Sequence, residues 1–417
     1  MTPAPLQQAT TILQRINELA SISEMPDVIT RTLGTEAFIK GRTLVAHWMQ
    51  QAGLDTRIDA IGNIRGRLAS NKAGAKTLVI ASHIDTVVNA GKFDGPLGVL
   101  MGLALLEQLI QDKTPLPFNI ELIAFCDEEG VRFHTTYLGS KVVAGQFDNN
   151  LLARQDATGT TLQEVIQAMG GNTNLLQQDA IGAEDWLGYF EIHIEQGPVL
   201  YEKNIPVGIV TAIAGQKRIA LTFKGEAGHA GTVPMHMRND ALCAASEFVL
   251  EVERFAGSHL RQVVATVGTL QITHAASNVI PGEVSCTLDL RSADQQVLNS
   301  CYSHLEQLGS AICQQRKIEL TWETIQETNP VNCNTVLNHL LKQSIQQAGY
   351  QVVNLVSGAG HDAVAIAPVS PVAMLFVRCF KGISHNPLED VELKDIAVAV
   401  EVSASFINSL IKKYNAG

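Results

Sequence analysis

The chain has 417 residues, too many for one small core and enough for two or three domains. Hydrophobic residues make up 46% and charged residues 17%, which excludes a disordered or fibrous protein. With 30 lysines and arginines against 41 aspartates and glutamates the net charge is −11, so the surface repels nucleic acid and anionic membranes and neither is expected as a partner.

The opening stretch, "MTPAPLQQATTILQRINELA", has no basic start followed by an apolar run, so no secretory leader is expected. No stretch approaches the roughly 18 apolar residues of a membrane helix. Apolar β-rich runs then alternate with helix-periodic ones up to about residue 210, the pattern of an α/β domain with a central mixed, mostly parallel sheet. Strands are expected over 77–83, 118–126 and 189–195, with a helix entered at Gly95-Pro96 between the first two. Beyond that point "QKRIALTFKGEAGHAG" and "GEVSCTLDLRSAD" read as antiparallel strands, with helices over 238–254 and 295–315. After "ETNPVN" the α/β pattern returns, with a strand over 371–379 and a final amphipathic helix over 392–413. The expected division is a catalytic domain over 1–212 and 330–417, interrupted by an α+β domain over 213–329. The seven cysteines are scattered without CxxC spacing, which predicts free thiols in a reducing cytoplasm and argues against a cysteine-based metal site.

Open α/β sheets place their sites at the carboxyl ends of strands, and four strand ends here carry metal-capable side chains. They are His83 with Asp85 and Asp94, then Asp127, Glu128 and Glu129, then His193 with Glu195, and finally His385. One such group alone is an ordinary hydrogen-bonding residue, whereas four at corresponding ends point to a pocket for two divalent ions with nitrogen and oxygen ligands. In such pairs the ions sit roughly 3.5–4 Å apart and a carboxylate bridges them, a role that suits Asp94 in its tight Gly-Pro turn. Asp85 lies two residues from His83 on the same strand face, from which its carboxylate can fix the ring's tautomer. Adjacent Glu128 and Glu129 cannot easily bind one ion together, so one ligates and the other acts as base. The bland alternative, an acidic solvated loop, is weakened by the apolar strand "IELIAF" just before it.

In chain order, "SHIDTV", "FDGPLGV", "DEEGVRF", "HIEQGPVL", "GEAGHAGTVPM", "SNVIPGEV", "DLRSAD", "SGAGHDA" and "GISHNP" carry a resemblance. The sequence resembles the ureido-group branch of the aminoacylase and carboxypeptidase metallopeptidase superfamily, which contains N-carbamoyl-L-amino acid hydrolase, allantoate amidohydrolase and β-ureidopropionase. The resemblance runs from about residue 25 to the end. It implies that His83, Asp94, Glu129, His193 and His385 bind two divalent ions, with Asp94 bridging. Zinc or manganese are the leading candidates, with cobalt or nickel next. It implies that Glu128 is the general base, that Asp85 supports the catalytic group, and that the peptide after Asp94 is cis. The inserted domain resembles the family's lid and homodimerisation domain. Within it His229 would polarise the substrate carbonyl, and Asn278 and Arg291 would hold the substrate carboxylate. Gln196, Gly360 and His361 would be further substrate contacts. The residue-level alternatives are that "GAGH" is only a turn, that Arg291 pairs with Asp289, and that His229 caps a turn.

The expected activity is hydrolysis of the ureido C–N bond of a small carboxylate, releasing ammonia and carbon dioxide. Allantoate is the lead substrate, and N-carbamoyl-L-amino acids or β-ureidopropionate are alternatives. An exopeptidase or aminoacylase is a second reading, disfavoured by histidine rather than an acid at position 193. A non-catalytic binding protein is a third, disfavoured by retention of Glu128 together with every ligand position.

Overall fold

The computed structural model describes residues 4–259 and 262–415. The chain forms two compact units, Met1–Thr211 with Cys333–Gly417, and Ala212–Asn332.

The first unit is built on a mixed sheet. In spatial order its strands include Asp55–Ile58, Ile64–Leu68, Asn119–Phe125, Thr77–His83, Trp186–Ile194, Val372–Val377 and Val207–Ile213, with Asn354–Ser357 paired to the last. The four central strands, Asn119–Phe125 to Val372–Val377, run parallel to one another. Thr77–His83 and Asn119–Phe125 are buried at every residue, as expected for parallel strands covered on both faces. The fold is therefore α/β with a mixed central sheet.

The helix Pro96–Gln111 explains how the sheet is closed on one side. It is apolar almost all round, and Leu97, Leu100, Leu103 and Leu106 are fully buried. It packs on the sheet beneath the helices Pro5–Ala20 and Leu393–Asn415. Truncating one such leucine to alanine removes about 2–5 kcal/mol. Pro96 sets the helical φ of the first turn, and Gly95 before it adopts φ +84°, a left-handed conformation. A Cβ on Gly95 would lie 2.5 Å from the His83 ring, so both backbone and space require glycine there. The expected cis peptide after Asp94 is not found: no described peptide bond is cis, and the turn is made by Gly95 instead.

The second unit is a four-stranded antiparallel sheet in the order Glu319–Thr328, Gly215–Lys224, Glu283–Ser292, Val264–Ile272. Along Glu283–Ser292 every second side chain is buried, and Val284, Leu288 and Leu290 join a core with Phe248 and Leu298 from the helices Ala241–Ser258 and Gln295–Arg316. Among the described residues no helix is long and apolar enough to cross a membrane. All seven cysteines are free thiols.

Candidate metal centre

Because the four central strands are parallel, their carboxyl ends share one edge of the sheet. His83 is the last residue of its strand and lies level with Phe125, whose strand leads directly into Asp127, Glu128 and Glu129. His193 lies level with Phe376, and the segment after Val377 leads to His385. Asp94 reaches the same edge from the turn before the buried helix.

The other four side chains read as ligands gather around Asp94. Its Oδ1 faces His193 Nε2 at 3.1 Å and His83 Nε2 at 3.7 Å, while its Oδ2 faces His385 Nε2 at 3.2 Å. His385 Nε2 is also 3.4 Å from Glu129 Oε1. Two of the donor groups, His83–Asp94–His193 and Asp94–Glu129–His385, are joined by the two oxygens of one carboxylate. A third, His83–Glu128–Glu129, brings both glutamates of the acidic turn to the same histidine, and a fourth, Glu191–His193–His361, reuses His193, while His361 Nε2 is already paired with Ser357 Oγ at 2.8 Å.

The histidine tautomers decide whether this donor set suits a metal. His83 Nδ1 lies 3.1 Å from the Asp85 carbonyl and His193 Nδ1 lies 3.1 Å from the Ile194 carbonyl. A carbonyl only accepts, so each Nδ1 carries a hydrogen, and each ring in its neutral form turns a lone pair outward at Nε2. Those two Nε2 atoms are 3.4 Å apart beside a carboxylate oxygen, an arrangement that repels itself unless a cation stands between them. Nitrogen and carboxylate donors in this number fit borderline divalent ions.

The electrostatics point the same way. Burial raises the Asp94 carboxyl, but His193, His385 and His83 outweigh it and hold it well below the usual carboxylate range. Burial lowers His83 and His193, yet the carboxylates beside them raise both, His83 well above its ordinary value. His385, against Asp94 and Glu129, is pushed up to about 10. The histidine shifts retain positive charge in the pocket and the Asp94 shift retains negative charge, so the carboxylate draws cations to this spot. Glu128 behaves differently: burial pushes it well above the ordinary range, His83 opposes this, and Glu129 adds to it.

Asp85 serves more than His83. The nearest partner of His83 Nδ1 is the Asp85 carbonyl, and the carboxylate is farther off at 3.5 Å. Its oxygens also accept the backbone N–H groups of Glu128 at 3.0 Å and Glu129 at 3.1 Å. A carboxylate that caps two successive N–H groups fixes the turn carrying both glutamates. Gln196, expected as a substrate contact, donates from Nε2 to Asp94 Oδ2 at 2.9 Å. His361 is buried with its ring edge-on to His193, 4.6 Å between centroids. Gly360 packs against the Tyr137 hydroxyl, which a Cβ would approach to 1.8 Å.

Three residues of the second unit were also singled out. His229 is exposed, accepts the Gly231 N–H at Nδ1, and sits on a short strand paired with Val279–Ile280. The Asn278 carbonyl accepts the neighbouring Ala230 N–H. Arg291 forks onto Asp289 of its own strand at 2.7 and 3.0 Å, the pairing weighed above as its alternative.

Several residues of the centre escape sequence reading. Ser384 Oγ lies 2.8 Å from Asp94 Oδ2 and 3.1 Å from Glu389 Oε2. Glu389 Oε1 accepts the backbone N–H groups of Phe93 and Asp94. Glu191 and Asp362 are wholly buried carboxylates next to the histidines, with the Tyr189 hydroxyl donating to Glu191 and the Ser140 hydroxyl to Asp362. The only available signal was that Ser384 and Glu389 flank His385.

Comparison with known proteins places this geometry. The "Probable allantoate deiminase" of Oryza sativa subsp. japonica is 37% identical, over 94% of this chain and 87% of its own length. The "N-carbamoyl-L-amino acid amidohydrolase" of Geobacillus stearothermophilus is also 37% identical, over 95% of this chain and 97% of its own. A crystal structure of an amidase of the hydantoinase/carbamoylase family from Burkholderia multivorans superposes with a TM-score of 0.91 at 34% identity, covering 97% of this chain and 98% of that one. Residues 79–409, which span every donor of the centre, match peptidase family M20/M25/M40. A pocket that gathers nitrogen and carboxylate donors at a parallel sheet edge, in a chain alike throughout to these amidohydrolases, leaves one assignment: the chain belongs to peptidase family M20/M25/M40, in its ureido-hydrolase branch, and is a hydrolase of C–N bonds.

Proposed function

We propose that this enzyme hydrolyses the ureido C–N bond of a small carboxylate, releasing ammonia and carbon dioxide, with allantoate as its substrate. The observation that carries the reading is the pair of donor groups joined by Asp94, with Glu128 buried beside them. Two divalent ions, zinc or manganese, would be held by His83, Asp94 and His193 and by Asp94, Glu129 and His385, and would supply Lewis acidity to the carbonyl and to water. The likeness to an allantoate deiminase supports the substrate.

The chain's own residues divide the remaining work. Glu128, its carboxyl raised by burial, has the proton affinity of a general base that takes a proton from water and returns it to the leaving nitrogen. Asp85 keeps the Glu128 backbone in place. His229 supplies a hydrogen bond to the carbonyl oxygen as it gains charge, and Asn278 and Arg291 recognise the carboxylate. Arg291 would carry out that task from its pairing with Asp289. Gln196, Gly360 and His361 line the substrate's path. The unit Ala212–Asn332 serves as lid and homodimer contact, and the enzyme acts in the cytoplasm.

A second reading, an N-carbamoyl-L-amino acid substrate, is favoured by the equal identity to the Geobacillus stearothermophilus amidohydrolase over nearly its whole length. Both substrates set a carboxylate one carbon from a ureido group. The test is ammonia release by the manganese-loaded protein from allantoate, N-carbamoyl-L-methionine, N-carbamoyl-β-alanine and a dipeptide. Preference for allantoate supports the proposal, and preference for the carbamoyl amino acid moves the substrate one step within the branch. Activity on the dipeptide alone overturns the ureido reading.

A further inference from the structure

The two oxygens of Asp94 do not have the same surroundings. Oδ1 faces only the two histidines His83 and His193 among the donor groups. Oδ2 faces His385 and also meets the Ser384 hydroxyl at 2.8 Å and Gln196 Nε2 at 2.9 Å. Ser384 in turn lies 3.2 Å from Gln196 Nε2 and 3.1 Å from Glu389 Oε2. Glu389, 3% exposed, grips the other end of the same aspartate: its Oε1 accepts the N–H of Phe93 at 2.7 Å and of Asp94 at 3.1 Å. The carboxyl group sits so close to Gly91 that a Cβ there would lie 2.2 Å away. The turn 91–94 is thus seated directly on Glu389.

We infer that Ser384 and Glu389 are positioning residues that clamp Asp94 by its backbone and by Oδ2, and so select the ion held by Asp94, Glu129 and His385. The inference rests on the two-ion reading proposed above. A carboxylate rotates freely about its last bond unless something holds it. Glu389 fixes the main chain of Asp94, and Ser384 and Gln196 fix the plane of its carboxylate from the Oδ2 side. These two donors hold Oδ2 where it faces His385 Nε2 at 3.2 Å, the same atom that lies 3.4 Å from Glu129 Oε1. Because Ser384 immediately precedes His385 and Glu389 follows four residues later, one short segment delivers a ligand and the means of aiming its shared partner. The Oδ1 side has no such device, since His83 and His193 are fixed by main-chain carbonyls.

The prediction is selective loss. Partners of this kind cost about 10- to 100-fold in metal affinity when removed. Ser384→Ala leaves no large cavity and is expected to weaken one of two manganese ions by that amount, with the other unchanged within about threefold. The weakened ion is the one that Glu129→Gln also loses. Glu389→Ala, which releases the main chain of Asp94 and with it both oxygens, weakens both ions, whereas Glu389→Gln, which keeps an acceptor for the Phe93 and Asp94 N–H groups, stays close to the unaltered protein.

The experiment titrates manganese into the metal-free full-length chain and its four variants, with free ion read by electron paramagnetic resonance. Far-ultraviolet circular dichroism of each metal-free form shows whether it is folded. Selective weakening in Ser384→Ala together with retention in Glu389→Gln supports the clamp. Two ions held undiminished by Ser384→Ala, a loss in Ser384→Ala spread equally over both ions, or Glu389→Gln as damaging as Glu389→Ala would overturn it while leaving the two-ion reading intact. Fewer than two ions on the unaltered protein would bring down that reading and the clamp with it.

Discussion

Asp85 Oδ1 accepts the backbone N–H of Glu128 at 3.0 Å, so the buried glutamate read as the base is anchored by its main chain. The companion bond to Glu129 makes Asp85 the hinge pin of the acidic turn. Asp85→Ala strands two N–H groups at about 1–3 kcal/mol each, less whatever water recovers. We expect urea midpoints to fall by a corresponding amount and kcat to fall by more than tenfold. Asp85→Asn keeps one acceptor and should lie between the two. An alanine variant as stable and active as the parent would remove Asp85 from this role.

Glu128→Gln preserves shape and removes the proton acceptor. General acid–base groups contribute about 10²- to 10⁴-fold, so kcat should drop by at least about 100-fold. Metal content, measured by elemental analysis, should be unchanged, because Glu129 and not Glu128 faces His385. Undiminished turnover would reassign the base.

Gly360→Ala tests the packing between the glycine-rich segment and Tyr137. A Cβ 1.8 Å from the phenolic oxygen cannot be accommodated without movement of one or the other. The Tyr137 N–H donates to the Glu128 carbonyl, so displacement of Tyr137 passes straight to the acidic turn. We expect kcat/KM to fall by about tenfold or more and to recover in part in Gly360→Ala/Tyr137→Phe, with a coupling of about 0.5–3 kcal/mol between the two changes. Strictly additive effects in this cycle would show that the contact does not matter.

These predictions also mark how far sequence reading extends. His83, Asp94, Glu128, Glu129, His193 and His385 were legible because parallel strands end at one edge, and the ends of apolar runs can be found in one sequence. The insert was less so. Its strands Gly215–Lys224 and Glu283–Ser292 alternate cleanly, while Val264–Ile272 and Glu319–Thr328 were not singled out. Those two lie at the sheet's edges, where side chains are exposed on many positions and the alternation fades. Ser384 and Glu389 were out of reach for another reason: their contacts with Asp94 join positions 290 and 295 residues apart, and no local pattern encodes such a pairing. The second task of Asp85 was hidden for the same reason, since its carboxylate also serves a turn 43 residues away.

Asp59 provides a pH test away from the metal ligands. Burial pushes its carboxyl up to about 6 from 3.8, against the hydrogen bonds from Asn63 and the charge of Arg65. Below about pH 4 the group is protonated in both folded and unfolded chains and costs nothing. As pH rises towards 6 the unfolded chain releases its proton first, so stability is lost across that window and levels off above it, by about 3 kcal/mol in all. In Asp59→Asn the slope disappears, although the amide then faces Asn63 Nδ2 and a constant penalty remains. Urea denaturation of both proteins from pH 4 to 7 reads the difference. A parent curve parallel to the variant's would contradict the raised value.

The clamp on Asp94 has a consequence for the order in which the enzyme comes into being. His83, Asp94, Glu128, Glu129 and His193 all leave the ribosome before residue 194, whereas Ser384, His385 and Glu389 follow only after residue 383. A nascent or truncated chain that stops before them presents one histidine pair and an unsupported aspartate, and has no second ligand group to complete. On the two-ion reading, hydrolytic competence therefore waits for His385, which is made long after the other ligands.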